Sequence, residues 1–180
     1  MHRKKLISLL EDYNTPTFEE ELYRKKILSF IHQYADCFER SLAVGHITAS
    51  AWLINKDHSK ALLMHHKKLD IWVQPGGHCD GNSDVLSVAL KEAQEESGIQ
   101  AIEPLSLSIF DIDIHPIPAI KKEPAHYHYD IRFLLHTTSD EPFVQNKESK
   151  ALKWFDLNEP LPTKEQSVLR MHKKWIEKYR

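Results

Sequence analysis

The sequence predicts an α+β fold, an α/β/α sandwich in which a mixed β-sheet is flanked by helices. Three observations carry this. Helical apolar spacing is confined to the two ends and one central stretch, and β-branched or alternating runs fill the intervals. Strands and helices also do not alternate regularly, as a parallel βαβ fold would require. At 180 residues the chain has room for one full domain and not for two ordinary ones.

Residues 1–41 read as a helical extension packed on the main body or on another subunit, and 42–180 as the body itself. Leu6, Leu9 and Leu10 give a short apolar stripe, broken at "YNTPT". Thr17 with Glu20 fits a capping box for a second helix, along which Phe18, Leu22, Ile27, Phe30, Ile31 and Tyr34 recur at helical spacing. From His46 the texture changes. "HITASAWLIN" and "KALLMHH", on either side of the turn-like "KDHS", read as a hairpin. After "KKLD" comes the short strand "IWVQ", then Pro75-Gly76-Gly77. Val85 to Ser97 is the central helix, and Gly98 lies just past its end, where a left-handed cap favours glycine. "LSLSIFDIDIH" and "AHYHYDIRFLLHT" alternate as strands around the loop "PIPAIKKEP", and "ALKWFDL" is a final strand. Thr163 with Gln166 is placed to cap a closing helix carrying Val168, Leu169, Met171, Trp175 and Ile176.

Composition narrows the function. A formal charge of -2 argues against binding a nucleic-acid polymer by bulk electrostatics, though not against a local basic patch. No apolar stretch approaches the roughly 20 residues that span a bilayer, so no membrane partner is expected. The N-terminal "MHRKKLISLLEDYN" turns acidic too soon for a signal peptide. Cys37 and Cys79 have no CxxC spacing, which fits a reduced, cytoplasmic setting.

The chemistry is concentrated in "QPGGHCDGNSDVLSVALKEAQEESGI", residues 74–99. Glu92, Glu95 and Glu96 stand at i, i+3 and i+4, so the three carboxylates share one arc of the helix beside the apolar Leu86, Ala89, Leu90 and Ala93. Like charges at this spacing repel, and the helix C-terminus disfavours anions. A hard divalent cation offsets both effects, because magnesium takes carboxylate and phosphate oxygens together. Gly76-Gly77, directly after a strand, lets backbone approach a ligand closely.

These residues resemble the signature of the Nudix hydrolases: G, five residues, E, seven residues, then R-E-U-x-E-E-x-G-U, with U bulky and apolar. Gly77 starts the box, and Lys91-Glu92-Ala93-Gln94-Glu95-Glu96-Ser97-Gly98-Ile99 closes it in register. Two positions depart from it. The first glutamate is Ser83, with Asp84 beside it as a partial substitute, and the arginine is Lys91, a point charge without a fork of donors. Ala93 is also small for a U position.

The resemblance implies a metal-dependent pyrophosphohydrolase that cleaves a diphosphate linkage in a nucleoside diphosphate derivative or related nucleotide. It implies Mg2+ (or Mn2+) held by Glu92, Glu95, Glu96 and the carbonyl of Gly76, with Lys91 completing the catalytic group and Gly77 and His78 meeting substrate. A nucleotide-binding or sensor module with little hydrolysis is the alternative, and an isoprenoid diphosphate isomerase a more distant one, for which Cys79 is poorly placed. The N-terminal helices offer a surface for a homodimer.

A second polar face is written in the strands. Asp111, Asp113 and His115 share one parity, and His126, His128, Asp130 and Arg132 another, so antiparallel pairing sets the rows side by side, with His115 opposite His126 as the trial register. Three readings stay open: a solvated face, a substrate-binding wall using His128, Asp130 and Arg132, or a second metal held by His and Asp. Trp52 and Trp72 read as core side chains rather than base-stacking ones.

Overall fold

The computed structural model describes residues 2–67, 70–119, 124–144 and 149–179. Part of the "KKLD" turn and of the "PIPAIKKEP" loop lies outside these residues. Four helices and eight strands are present among them: α1 (Lys4–Glu11), α2 (Phe18–Gln33), β1 (Gly45–Ile54), β2 (Lys60–His66), β3 (Trp72–Val73), β4 (Gly76–His78), α3 (Val85–Ser97), β5 (Ile102–Pro104), β6 (Asp111–Ile117), β7 (His126–Thr137), β8 (Ser149–Asp156) and α4 (Gln166–Tyr179).

The sheet is mixed. β1 and β7 run parallel through ten partnered residues, from Gly45↔Tyr127 to Ile54↔His136. β6 pairs antiparallel on the far side of β7, and β2 pairs antiparallel with β8. Strand alternation sorts the apolar side chains of β1 into two cores. Ile47, Ala49, Ala51 and Leu53 join α3 residues Val85, Val88, Ala89 and Ala93. Trp52 and Ile54 join α4 residues Val168, Met171 and Trp175. Helices therefore cover both faces, as the patterning predicts.

The N-terminal helices pack into the first of these cores. Leu6, Leu10, Ile27 and Ile31 are fully buried in the same cluster as the sheet residues. Thr17 is the N-cap of α2, its hydroxyl accepting from Glu20 N at 3.2 Å and donating to Glu20 Oε2 at 3.0 Å.

Four expectations change. β1 and β2 are joined by the anticipated turn but share only the Ile54↔Ala61 pair. Beyond it, Ala51 N donates to Pro75 O at 2.9 Å and β4 takes the place beside β1, so Gly76-Gly77-His78 is a strand and not a loop. "LSLSIFDIDIH" becomes regular only from Asp111. Thr163 does not cap α4: its hydroxyl accepts from Glu165 N, and the first helical bonds run from Val168 N and Leu169 N to Glu165 O. Trp52 is fully buried, while Trp72 is half-buried and stacks on His65 with ring centroids 5.0 Å apart.

Candidate active site

The site is built where α3 lies across β4. Asp84 caps α3, accepting from Ser87 N at 3.3 Å, and Gly98 ends it in the left-handed conformation (φ 74°) with its N–H on Gln94 O at 2.8 Å. The apolar stripe of α3 faces the core, which gives the three glutamates unequal environments. Glu96 is buried, and its Oε2 accepts from Gly76 N at 2.9 Å. The Glu92 side chain is 17% exposed and lies against Gly77, while that of Glu95 is 58% exposed and pairs with Lys91 at 3.0 Å. Burial raises the pKa of Glu92; Lys91 opposes this and the charge of Glu95 adds to it. The repulsion inferred from sequence is thus present at the residue that packs on the glycines.

Those glycines serve two different close approaches. A Cβ on Gly77 would sit 2.5 Å from Glu92 Oε2, the free end of a side chain. A Cβ on Gly76 would sit 2.6 Å from Ser50 Cβ and 2.8 Å from Ser50 Cα, across the β1–β4 pair. Gly77→Ala should therefore leave the thermal midpoint nearly unchanged while displacing Glu92 and weakening magnesium binding. Gly76→Ala should cost about 1–3 kcal/mol of stability through overpacking. Parallel thermal melts and metal titrations of the two variants check the contrast.

Lys91 Nζ stands 3.0 Å from Glu95 and 3.6 Å from Glu92, bridging the two as a single point charge. Asp84 does not replace the glutamate missing at Ser83. Its carboxylate caps α3 and pairs with Lys5 at 2.8 Å. Cys79 is buried, and burial pushes its thiol well above the ordinary range, an inert setting for any thiol chemistry.

The second polar face forms on β6 and β7, two residues out of the trial register. His115 pairs with His128 and Asp113 with Asp130, so parity holds and polar still faces polar. It is not a solvated face, since Asp111, Asp113, Asp130 and Arg132 are all buried. Arg132 Nε donates to Asp130 Oδ2 at 2.8 Å and Nη1 to Asp111 Oδ2 at 3.1 Å, and Nη2 lies 3.3 Å from Asp113 Oδ2. Asp130 also accepts from Thr48 Oγ1 at 2.8 Å and Ser50 Oγ at 2.5 Å. From α4, Arg170 donates to Asp111 and Asp113, and Lys174 bridges Asp111 to Glu20 of α2. The structure thus places Asp130 and Arg132 in a buried charge network that joins α2, β6, β7 and α4. His128 and His78 lie elsewhere on this face, in a group of histidines that includes His46. His46 is not among the candidates that the sequence singles out, although it shares the polar parity of β1 with Thr48 and Ser50.

A cleft of about 670 Å³ opens between α2 and the ends of β6 and β7. His126, Tyr34, Tyr127 and Tyr129 are among its walls, and Tyr129 stacks on Phe30 with centroids 4.0 Å apart.

The NUDIX domain profile matches residues 45–178, most of the chain. The chain belongs to the Nudix family. It is 26% identical over 119 residues to the m7GpppN-mRNA hydrolase NUDT17 of Xenopus laevis, covering 59% of this chain and 40% of the relative. It is 28% identical over 102 residues to the asymmetrical bis(5'-nucleosyl)-tetraphosphatase of Rattus norvegicus, covering 53% of this chain and 59% of that one. The matches thus span about half the length of these curated relatives. A Nudix-family hydrolase from Clostridium perfringens superposes with a TM-score of 0.53 at 23% identity, over 73% of this chain and 97% of its own, which supports the α+β Nudix fold. Within the Nudix box, Gly77 and the three glutamates occupy the arrangement described above, with Ser83 and Lys91 as its two departures. Among the described residues, no helix is long and apolar enough to cross a membrane.

Proposed function

We propose that the protein is a pyrophosphohydrolase, dependent on Mg2+ or Mn2+, that cleaves a diphosphate linkage in a nucleotide derivative. The observation that carries this is the convergence of Glu92 and Glu96 on the Gly76–Gly77 strand, where a side chain would displace one carboxylate and part the strands. Glu92, Glu95, Glu96 and the Gly76 carbonyl would supply an all-oxygen donor set, which fits a hard divalent ion. When bound, such an ion neutralises the diphosphate and makes its phosphorus more electrophilic.

The chain's own residues then have distinct tasks. Glu96, fixed by Gly76 N–H, orients the strand carbonyls beside it. Glu92, packed against Gly77, brings its carboxylate to the glycine strand, where it would hold the ion. Lys91 keeps Glu95 and Glu92 apart in orientation while damping their repulsion. Gly77 borders the phosphates.

The relatives include an mRNA-cap hydrolase and a dinucleoside tetraphosphatase, which supports substrates that join a nucleoside to another group through a phosphate chain. A phosphate-release screen over dinucleoside polyphosphates, nucleotide sugars and nucleoside triphosphates, with and without magnesium, tests the proposal. Magnesium-dependent turnover of one class is expected. Nucleotide binding without turnover of any class would favour the sensor-module alternative.

A further inference from the structure

Five of the chain's twelve histidines gather at one end of the polar face, from four different strands. His46 comes from β1, His78 from β4, His115 from β6, and His126 and His128 from β7. Sheet register places them there: His46 pairs with His128, His128 with His115, and His78 with Thr48, two residues along from His46. The His46 ring lies with its centroid 5.0 Å from His78, 5.0 Å from His126 and 4.8 Å from His128.

His46 is 2% exposed, and neither Nδ1 nor Nε2 has a hydrogen-bond partner among the described residues. Leaving a buried polar group unpaired costs about 1–3 kcal/mol. Rigid strands hold this imidazole among three others with both nitrogens unanswered, so the protein interior alone gives no account of it. Ligating atoms of His46, His78 and His128 all lie within 4.8 Å of one another.

We propose that His46, His78 and His128 form a binding site for a divalent transition-metal ion, with Zn2+ the best-matched ion. Neutral imidazole suits zinc and its neighbours, whereas magnesium prefers oxygen, so this centre is chemically distinct from the glutamates. Burial first, then neighbouring imidazoles, lowers the pKa of His46 and of His128, which favours the neutral form at these two positions.

His126 is the natural fourth ligand. Its Nδ1 lies 2.9 Å from Pro124 O, which can only accept, so Nδ1 carries the proton and Nε2 presents a lone pair. That Nε2 is 3.3 Å from His128 Nε2. Two nitrogens on a tetrahedral zinc with ordinary bonds of about 2.0–2.1 Å stand about 3.4 Å apart.

The test uses the full chain, stripped by chelator dialysis and titrated with Co2+ and then Zn2+. One tightly bound ion per chain is expected, with the visible d–d absorption of four-coordinate cobalt, bleached when zinc displaces it. The half-buried His78→Ala variant, its fold checked by circular dichroism, should lose at least about 10-fold in affinity, as should His128→Gln. The Glu92→Gln, Glu96→Gln double variant should keep the site, which separates it from the glutamate proposal. Absence of a stoichiometric site, unchanged affinity in His78→Ala, or loss of the site in the double glutamate variant would each overturn it.

Discussion

Arg132→Met is expected to lower the unfolding free energy by about 3–5 kcal/mol, the range for removing one partner from a buried ion pair. The guanidinium is 2% exposed and meets Asp111, Asp113 and Asp130, two of which have few other cations in reach. Asp111 keeps Arg170 and Lys174, and Asp113 keeps Arg170, but Asp130 is left with hydroxyl donors and Gln74. Adding Asp130→Asn should therefore recover part of the loss, because it removes the charge that the methionine strands. Denaturant melts of both variants measure this.

Arg132 and Asp113 together predict a pH signature. Burial alone would raise the pKa of Asp113, but Arg132, His115 and Arg170 outweigh it and hold the carboxyl below the usual range. A depressed pKa contributes stability above the unfolded value that is lost as pH falls toward the folded one. Removing Arg132 shrinks that depression. The stability gap between the native protein and Arg132→Met should accordingly narrow as pH drops below the ordinary carboxylate range.

The second large effect is on catalysis. Glu96→Gln is expected to reduce magnesium-dependent cleavage by roughly 10³-fold, since several kcal/mol of charge stabilisation is at stake at about 1.36 kcal/mol per decade. The amide oxygen can still accept from Gly76 N–H, so the thermal midpoint should change little. Glu95→Gln is the informative comparison. Glu95 is exposed and pairs with Lys91, so its loss should weaken metal binding while leaving the β4 contact intact. Activity assays beside thermal melts separate the two.

Local pattern made the box legible in the sequence. Glycine, helix and glutamates lie within 23 consecutive residues, where helical spacing alone sets which side chains share a face. The β6–β7 parity was legible for the same reason, because alternation survives a slip of two residues and the exact partners do not matter to it. What stayed hidden depends on distant partners. Nothing near Arg132 reveals that Arg170 and Lys174, from α4, and Glu20, from α2, complete its network, so local sequence leaves a solvated face, a substrate-binding wall and a metal site all open, and not the buried scaffold that forms. His46 was hidden differently. Its strand read as apolar because Ile47, Ala49 and Ala51 dominate it, and only the neighbouring strands show that the opposite parity faces other histidines.

The central claim, metal-assisted attack of water at phosphorus by a site built on Glu92 and Glu96, is tested most directly with isotopic water. A substrate found in the phosphate-release screen is cleaved in H2(18)O with magnesium, and the products are weighed by mass spectrometry. The site described here predicts one heavy oxygen in one of the two phosphate-bearing products, with incorporation abolished by chelator and by the double Glu92→Gln, Glu96→Gln substitution. Cleavage that proceeds unchanged in the chelated protein or in that double variant would contradict it.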